Sequence, residues 1–158
     1  MVVISNSSPV IHLAKINKLN LLEKLYTKVI VPEKVYLECT ETTQYHQEIQ
    51  LISNSTWMTT LHIKDIRLFN LLYTEIDAGE AETLVLALEK DADLVLLDDM
   101  EARIKARSLG LNVTGTLGVL LKAKNHDLIT SLYEEINKLE QTGFWISSDL
   151  KDKVLSFE

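Results

Sequence analysis

Asn6, Glu38, Glu82, Asp98 and Asp99 are the side chains whose types and placement point to chemistry. All five present oxygen. Carboxylates held close together repel one another and cost stability unless they are protonated or bridged by a cation. A hard divalent ion, Mg²⁺ or Mn²⁺, relieves that repulsion and accepts oxygen ligands while keeping several waters. Such a site activates water and clamps a phosphate. Taken singly, each acid has a plainer role: Glu80 and Glu82 suit a helix dipole, and Asp98 and Asp99 suit a helix cap. Their joint placement is what favours a metal.

That placement depends on the elements around them. Residues 2–5 are a β-branched run, expected to be a buried strand. Ser8 before Pro9 is expected to cap the next helix, since a hydroxyl satisfies free amides and proline suits a first turn. A short helix is expected at 19–25 and a second strand at 28–31. A helix opened by Pro32 then carries Val35, Tyr36 and Cys39 toward the core. From 41 to 74 the pattern is weaker: helical at 45–53, a strand or extended segment at 57–63, a short helix at 65–72. Acidic residues from Asp77 to Glu82 open a helix running to about Lys90. A third strand is expected at 93–98, and a helix at 100–109 that Gly110 stops. A fourth strand is expected at 111–114, a helix capped by Thr116 follows, and further helices are expected at 131–140 and 150–157.

Short buried strands alternating with helices make an α/β fold around a parallel sheet, with the functional crevice at the carboxyl ends of the strands. On this layout Asn6 follows the first strand, and Asp98 and Asp99 follow the third. Glu38 lies one to two turns into the helix after the second strand, and Glu82 near the start of the helix leading into the third. All five converge on one sheet edge.

The composition narrows the function. The 158 residues suit one domain, residues 1–158, with 46% hydrophobic and 25% charged residues. A net charge of −7 argues against a broad basic face for nucleic acid, while a local basic strip remains compatible. Arg103 and Arg107 share a helix face and, with Lys105, Lys122 and Lys124, would form such a strip for RNA phosphates; a solvated face fits equally. His12, His46, His62 and His126 lack metal-site spacing, and Cys39 has no evident base. No phosphate-binding glycine motif occurs. Trp57, Tyr45, Phe69 and Tyr73 serve either the core or a partner. The lone cysteine, the absence of a membrane-length apolar run and a start unlike a signal peptide lead to an expected cytoplasmic location.

Five segments, in order, are similar to those of the PIN-domain family, in particular a prokaryotic branch related to toxin–antitoxin ribonucleases. They are Val3-Ile4-Ser5-Asn6-Ser7-Ser8-Pro9-Val10-Ile11, Val31-Pro32-Glu33-Lys34-Val35-Tyr36-Leu37-Glu38, Asp77-Ala78-Gly79-Glu80-Ala81-Glu82, Leu96-Leu97-Asp98-Asp99 and Val113-Thr114-Gly115-Thr116-Leu117-Gly118. The resemblance implies a three-layer αβα fold with a central, mainly parallel sheet. It implies Mg²⁺- or Mn²⁺-dependent RNA cleavage by activated water, leaving a 5′-phosphate. A homodimer held in check by an antitoxin protein is also implied. By resemblance Asn6, Glu38, Glu82 and Asp98 match the family's four acids, with Asp99 supporting Asp98. Ser8 and Thr116 match its small polar residues near the metal. Asn6 departs from the usual Asp, so the quartet carries three formal negative charges instead of four. An amide oxygen still ligates Mg²⁺ but brings no charge. That departure favours the alternative, a weak or inactive RNA- or protein-binding module.

Overall fold

The computed structural model describes residues 1–41 and 46–158. Five strands form one sheet: β1 (Val3–Ser5), β2 (Val29–Pro32), β3 (Met58–Leu61), β4 (Leu94–Leu96) and β5 (Val113–Thr114). Their order is β3-β2-β1-β4-β5 and every pairing is parallel. Ile4 stands between Ile30 and Val95, and Val95 pairs in turn with Val113. Because all strands run the same way, all their carboxyl ends share one edge. The strand order reverses direction between β1 and β4, which makes that junction the switch point where α/β sheets open a crevice.

Side chains alternate across the pleat and feed two cores. Val3, Val29, Val31 and Leu96 face one side, where they meet α1 (Ser7–Lys15), α2 (Asn20–Tyr26), α3 (Glu33–Glu41) and α4 (His46–Ser53). The same layer holds α8 (Thr116–Asn125), α9 (Leu132–Gln141) and α10 (Ser148–Leu155). Ile4, Val95 and Leu97 face the other side, against α5 (Ile66–Leu72), α6 (Ala78–Glu89) and α7 (Met100–Ser108). The result is the three-layer αβα architecture that the alternation of strands and helices predicts. Among the described residues no helix is long and apolar enough to cross a membrane.

Several boundaries differ from expectation, each for a local reason. The segment at 57–63 is a strand, β3, paired with β2; it reads weakly because Thr59 and Thr60 are exposed at the sheet edge. The strand expected third is therefore the fourth, and the one expected fourth is the fifth. Pro32 ends β2, where it pairs with Leu61, and the helix begins one residue later. The expected helix at 45–53 is described from His46 onward, and Tyr45 lies outside the described residues. Two expected caps are elsewhere. Asn6 occupies the cap position of α1, and Ser8 lies inside the helix. Gly115 occupies the cap position of α8, and Thr116 is its first residue. Both hydroxyls go instead to one carboxylate at the sheet edge.

Candidate active site

Asn6 sits at the switch point. Its backbone N–H donates to Leu96 O at 3.0 Å, tying the end of β1 to β4. Its extended backbone (φ −79°, ψ 173°) would let the side chain cap α1, yet it makes no capping bond. Oδ1 is instead buried without a hydrogen-bond partner among the described residues, and only 6% of the residue is exposed. An unpaired buried carbonyl costs about 1–3 kcal/mol, a cost that a water or a cation at this oxygen would offset.

The next two residues each act on an acid. Ser7 lies near enough to Glu38 on α3 to favour its charged form, and Ser8 Oγ donates to Asp98 Oδ2 at 2.9 Å. Asp98 lies just beyond β4 and also accepts from Thr116 N–H to Oδ1 and Thr116 Oγ to Oδ2, both at 2.7 Å. The start of α1 therefore carries, within three residues, a buried unpaired oxygen on Asn6 and a hydroxyl on Ser8 that anchors Asp98. Gly115 allows the approach of α8: a Cβ there would stand 2.7 Å from Asp98 Oδ1 and 2.8 Å from Arg103 Nη1.

The other acids line the start of α6. Gly79 abuts Glu38, and a Cβ on it would stand 2.8 and 2.9 Å from the two carboxylate oxygens. Burial, with Asp77 adding to it, raises the Glu38 pKa against the pull of Ser7 and Lys34. Burial likewise raises the Glu82 pKa, and Glu38 and Glu33 push the same way against Lys34 and His62. Glu82 thus belongs to the Glu38 side of the edge. Asp99 is exposed and caps α7, accepting from Ala102 N–H at 3.0 Å. Among the described residues no three His, Cys, Asp or Glu side chains stand close enough to hold one ion as a ready cage.

Glu80 is the acid that sequence reasoning passed over as a dipole partner. It closes a capping box: its N–H donates to Asp77 Oδ1 at 2.8 Å, and Asp77 N–H donates to its Oε2 at 3.2 Å. Only 8% of it is exposed. Burial first, then Asp77, Asp99 and Glu101, push its carboxyl up to about 7. The spacing Asp-x-x-Glu is legible as a cap; its burial beside further acids is not.

The basic residues are dispersed. Arg103 Nη1 donates to Leu97 O at 2.9 Å, so the guanidinium braces the end of β4. Burial, then Arg107, lower its pKa, while Asp98 opposes them. Arg107 is exposed. Lys105 pairs with Glu75, Lys122 stands 4.7 Å from the centre of the Tyr26 ring, and Lys124 donates to Thr130 O. Arg103 and Arg107 lie on α7, and Lys122 and Lys124 on α8.

His12 lies one turn beyond Ser8 on α1. Its ring meets Phe144 edge-on with centroids 4.9 Å apart, and its Nδ1 is buried without a hydrogen-bond partner among the described residues. Burial lowers its pKa, and the field of Asp98 partly offsets this.

Residues 2–157 match the family described as the PIN domain. No curated protein matches the chain.

Proposed function

The chain belongs to the PIN-domain family, whose members are in general nucleases, and from that premise we propose that it is an endoribonuclease that hydrolyses phosphodiesters with Mg²⁺ or Mn²⁺. The observation that carries this lies at the start of α1: Asn6 Oδ1 is buried without a hydrogen-bond partner among the described residues, and two residues on Ser8 Oγ donates to Asp98 at the end of β4. The donor set is all oxygen, as a hard cation requires. Asp98 has spent three acceptor positions of about four on Ser8 and Thr116, which leaves one to face an ion.

By family resemblance Asn6, Glu38, Glu82 and Asp98 would hold the ion, their side chains drawing in around it from positions that form no ready cage among the described residues, with the charge of Asp99 beside them. When bound, the ion supplies a more acidic water and neutralises charge on the phosphate. The chain's own residues do the rest. Ser8 and Thr116 donate to Asp98 and fix its orientation. Ser7 favours the charged form of Glu38 against the burial that raises its pKa. Arg103 holds the strand end on which Asp98 depends. No side-chain nucleophile is needed, and the product would carry a 5′-phosphate. Family resemblance supports the further expectation of a toxin working as a homodimer and masked by an antitoxin protein. The buried lone thiol and the absence of a membrane-length helix among the described residues support a cytoplasmic location.

Incubation with a generic single-stranded RNA, with Mn²⁺ and with a chelator, tests the enzyme. Cleavage should require the metal and should fall at least about 100-fold in Asp98→Asn, which keeps one acceptor oxygen for the Thr116 N–H but removes the charge. Metal-dependent cleavage that survives this change would overturn the assignment. A second reading, an inactive RNA- or protein-binding module, is favoured by the neutral Asn6. RNA binding without cleavage at saturating Mn²⁺ would establish it.

A further inference from the structure

A groove of about 580 Å³ opens beside Asp98. Asp98 and Arg103 supply charged groups to its lining, and Leu121, Phe144, Trp145 and Leu150 supply apolar ones. Trp145 is 82% exposed, unusual for so large an apolar ring. We propose that this groove binds an unpaired RNA base, stacked on the Trp145 indole, next to the phosphate presented to Asp98; the proposal rests on the ribonuclease reading above.

Three observations single out a base as the occupant. First, the groove has the mixed chemistry of a nucleotide site: the charged groups Asp98 and Arg103 in its lining together with the aromatic rings of Phe144 and Trp145. An apolar peptide would gain nothing from Asp98 and Arg103. Second, the usual source of RNA affinity is weak here. Phosphate attraction dominates most nucleic-acid binding, but this chain carries a net charge of −7, and Lys105, Lys122 and Lys124 each have a partner within the fold. Binding must therefore draw on contacts that do not depend on charge, and stacking on an aromatic ring is the main one available. Third, the wall is built rather than loose. His12 packs edge-on against Phe144, the neighbour of Trp145, and sits on the same helix as Ser8, which holds Asp98. One helix thus sets both the carboxylate and the groove wall, fixing the distance between base and phosphate. A paired base, whose faces are covered by its neighbours, does not fit such a site, so the groove selects single strands.

Anisotropy of a fluorescein-labelled single-stranded RNA decamer, titrated with the full chain in chelator, reads the groove without cleavage. Trp145→Ala should weaken binding about 5- to 100-fold, and Trp145→Phe should stay within about threefold of the parent. Since Trp145 is exposed, the melting temperature of both variants should match the parent's. The parent's affinity should also fall less than tenfold between 50 and 200 mM salt, where a phosphate-dominated complex loses about 1,000-fold or more. Unchanged RNA affinity in Trp145→Ala, or no binding by the parent, overturns the proposal. So does a shift from dimer to monomer on sedimentation of Trp145→Ala with RNA affinity retained, which would make the groove a self-association face. Failure of the nuclease reading looks different: Trp145-dependent binding persists, but Mn²⁺ brings no cleavage.

Discussion

Asn6 concentrates the question of activity in one atom. Its Oδ1 is buried and unpaired, a state that costs the folded chain unless something else is bound there. Asn6→Asp keeps the size and ligand geometry and adds a charge. At an effective dielectric near 20, a charge pair at about 4 Å is worth up to ~4 kcal/mol per unit of cation charge. Ion hydration and repulsion from Glu38, Glu82 and Asp98 cancel most of that. The expected net gain is roughly 1 kcal/mol, or several-fold in Mn²⁺ affinity by calorimetry. The same repulsion adds to a site where burial already raises Glu38, Glu80 and Glu82. The variant should therefore melt lower than the parent without metal and gain more from Mn²⁺. Equal affinity and equal metal-induced stabilisation in the two proteins would place Asn6 away from the ion.

At the scale of elements, α1 is the strut of the site. Its first turn holds Asp98 through Ser8, with Ser7 favouring the charged form of Glu38, and its second meets Phe144 through His12. The strut has an acid-sensitive point. Burial disfavours the charged imidazole more than Asp98 favours it, so His12 titrates below its ordinary 6.5 in the folded chain. Between that lowered value and 6.5 the unfolded chain binds the extra proton, so stability falls as pH drops through this window and is fully retained above it. His12→Phe removes the titration and keeps an aromatic contact with Phe144. Urea midpoints at pH 7.5 and 5.5 should move apart less in this variant than in the parent. An equal separation in both would assign the acid sensitivity to other groups. Much of this element was readable in advance: Ser8, Pro9 and the apolar spacing announce a helix start. That the hydroxyl of Ser8 serves Asp98 was not readable, because the partner is 90 residues away and a local cap satisfies the same pattern.

For the molecule as a whole, the legible part was what local pattern controls. Buried β-branched runs, helix starts and the Gly110 stop yield the αβα alternation, and a parallel sheet then carries every strand-end residue to one edge. Three features depended on pairs distant in sequence. β3 is half exposed at the sheet edge and so lacks a continuous apolar run. Glu80 looks like a solvated cap until α6 is packed against the sheet. The groove joins segments near 98–121 to 144–154. The same assembly concentrates Asp77, Glu80, Glu82, Asp98, Asp99 and Glu38 around one edge, and this has a collective consequence. Ordinary salt screens such a field, whereas a bound divalent ion stabilises by mass action. At a Mn²⁺ concentration 100 times the dissociation constant the gain is about 2.7 kcal/mol, or roughly 5–11 °C in melting temperature for a chain of this size. NaCl at the same ionic strength should yield a clearly smaller rise, and Asp98→Asn should lose most of the Mn²⁺-specific part. Equal shifts with the two salts would mean that the edge is a screened cluster of surface acids and not a metal site.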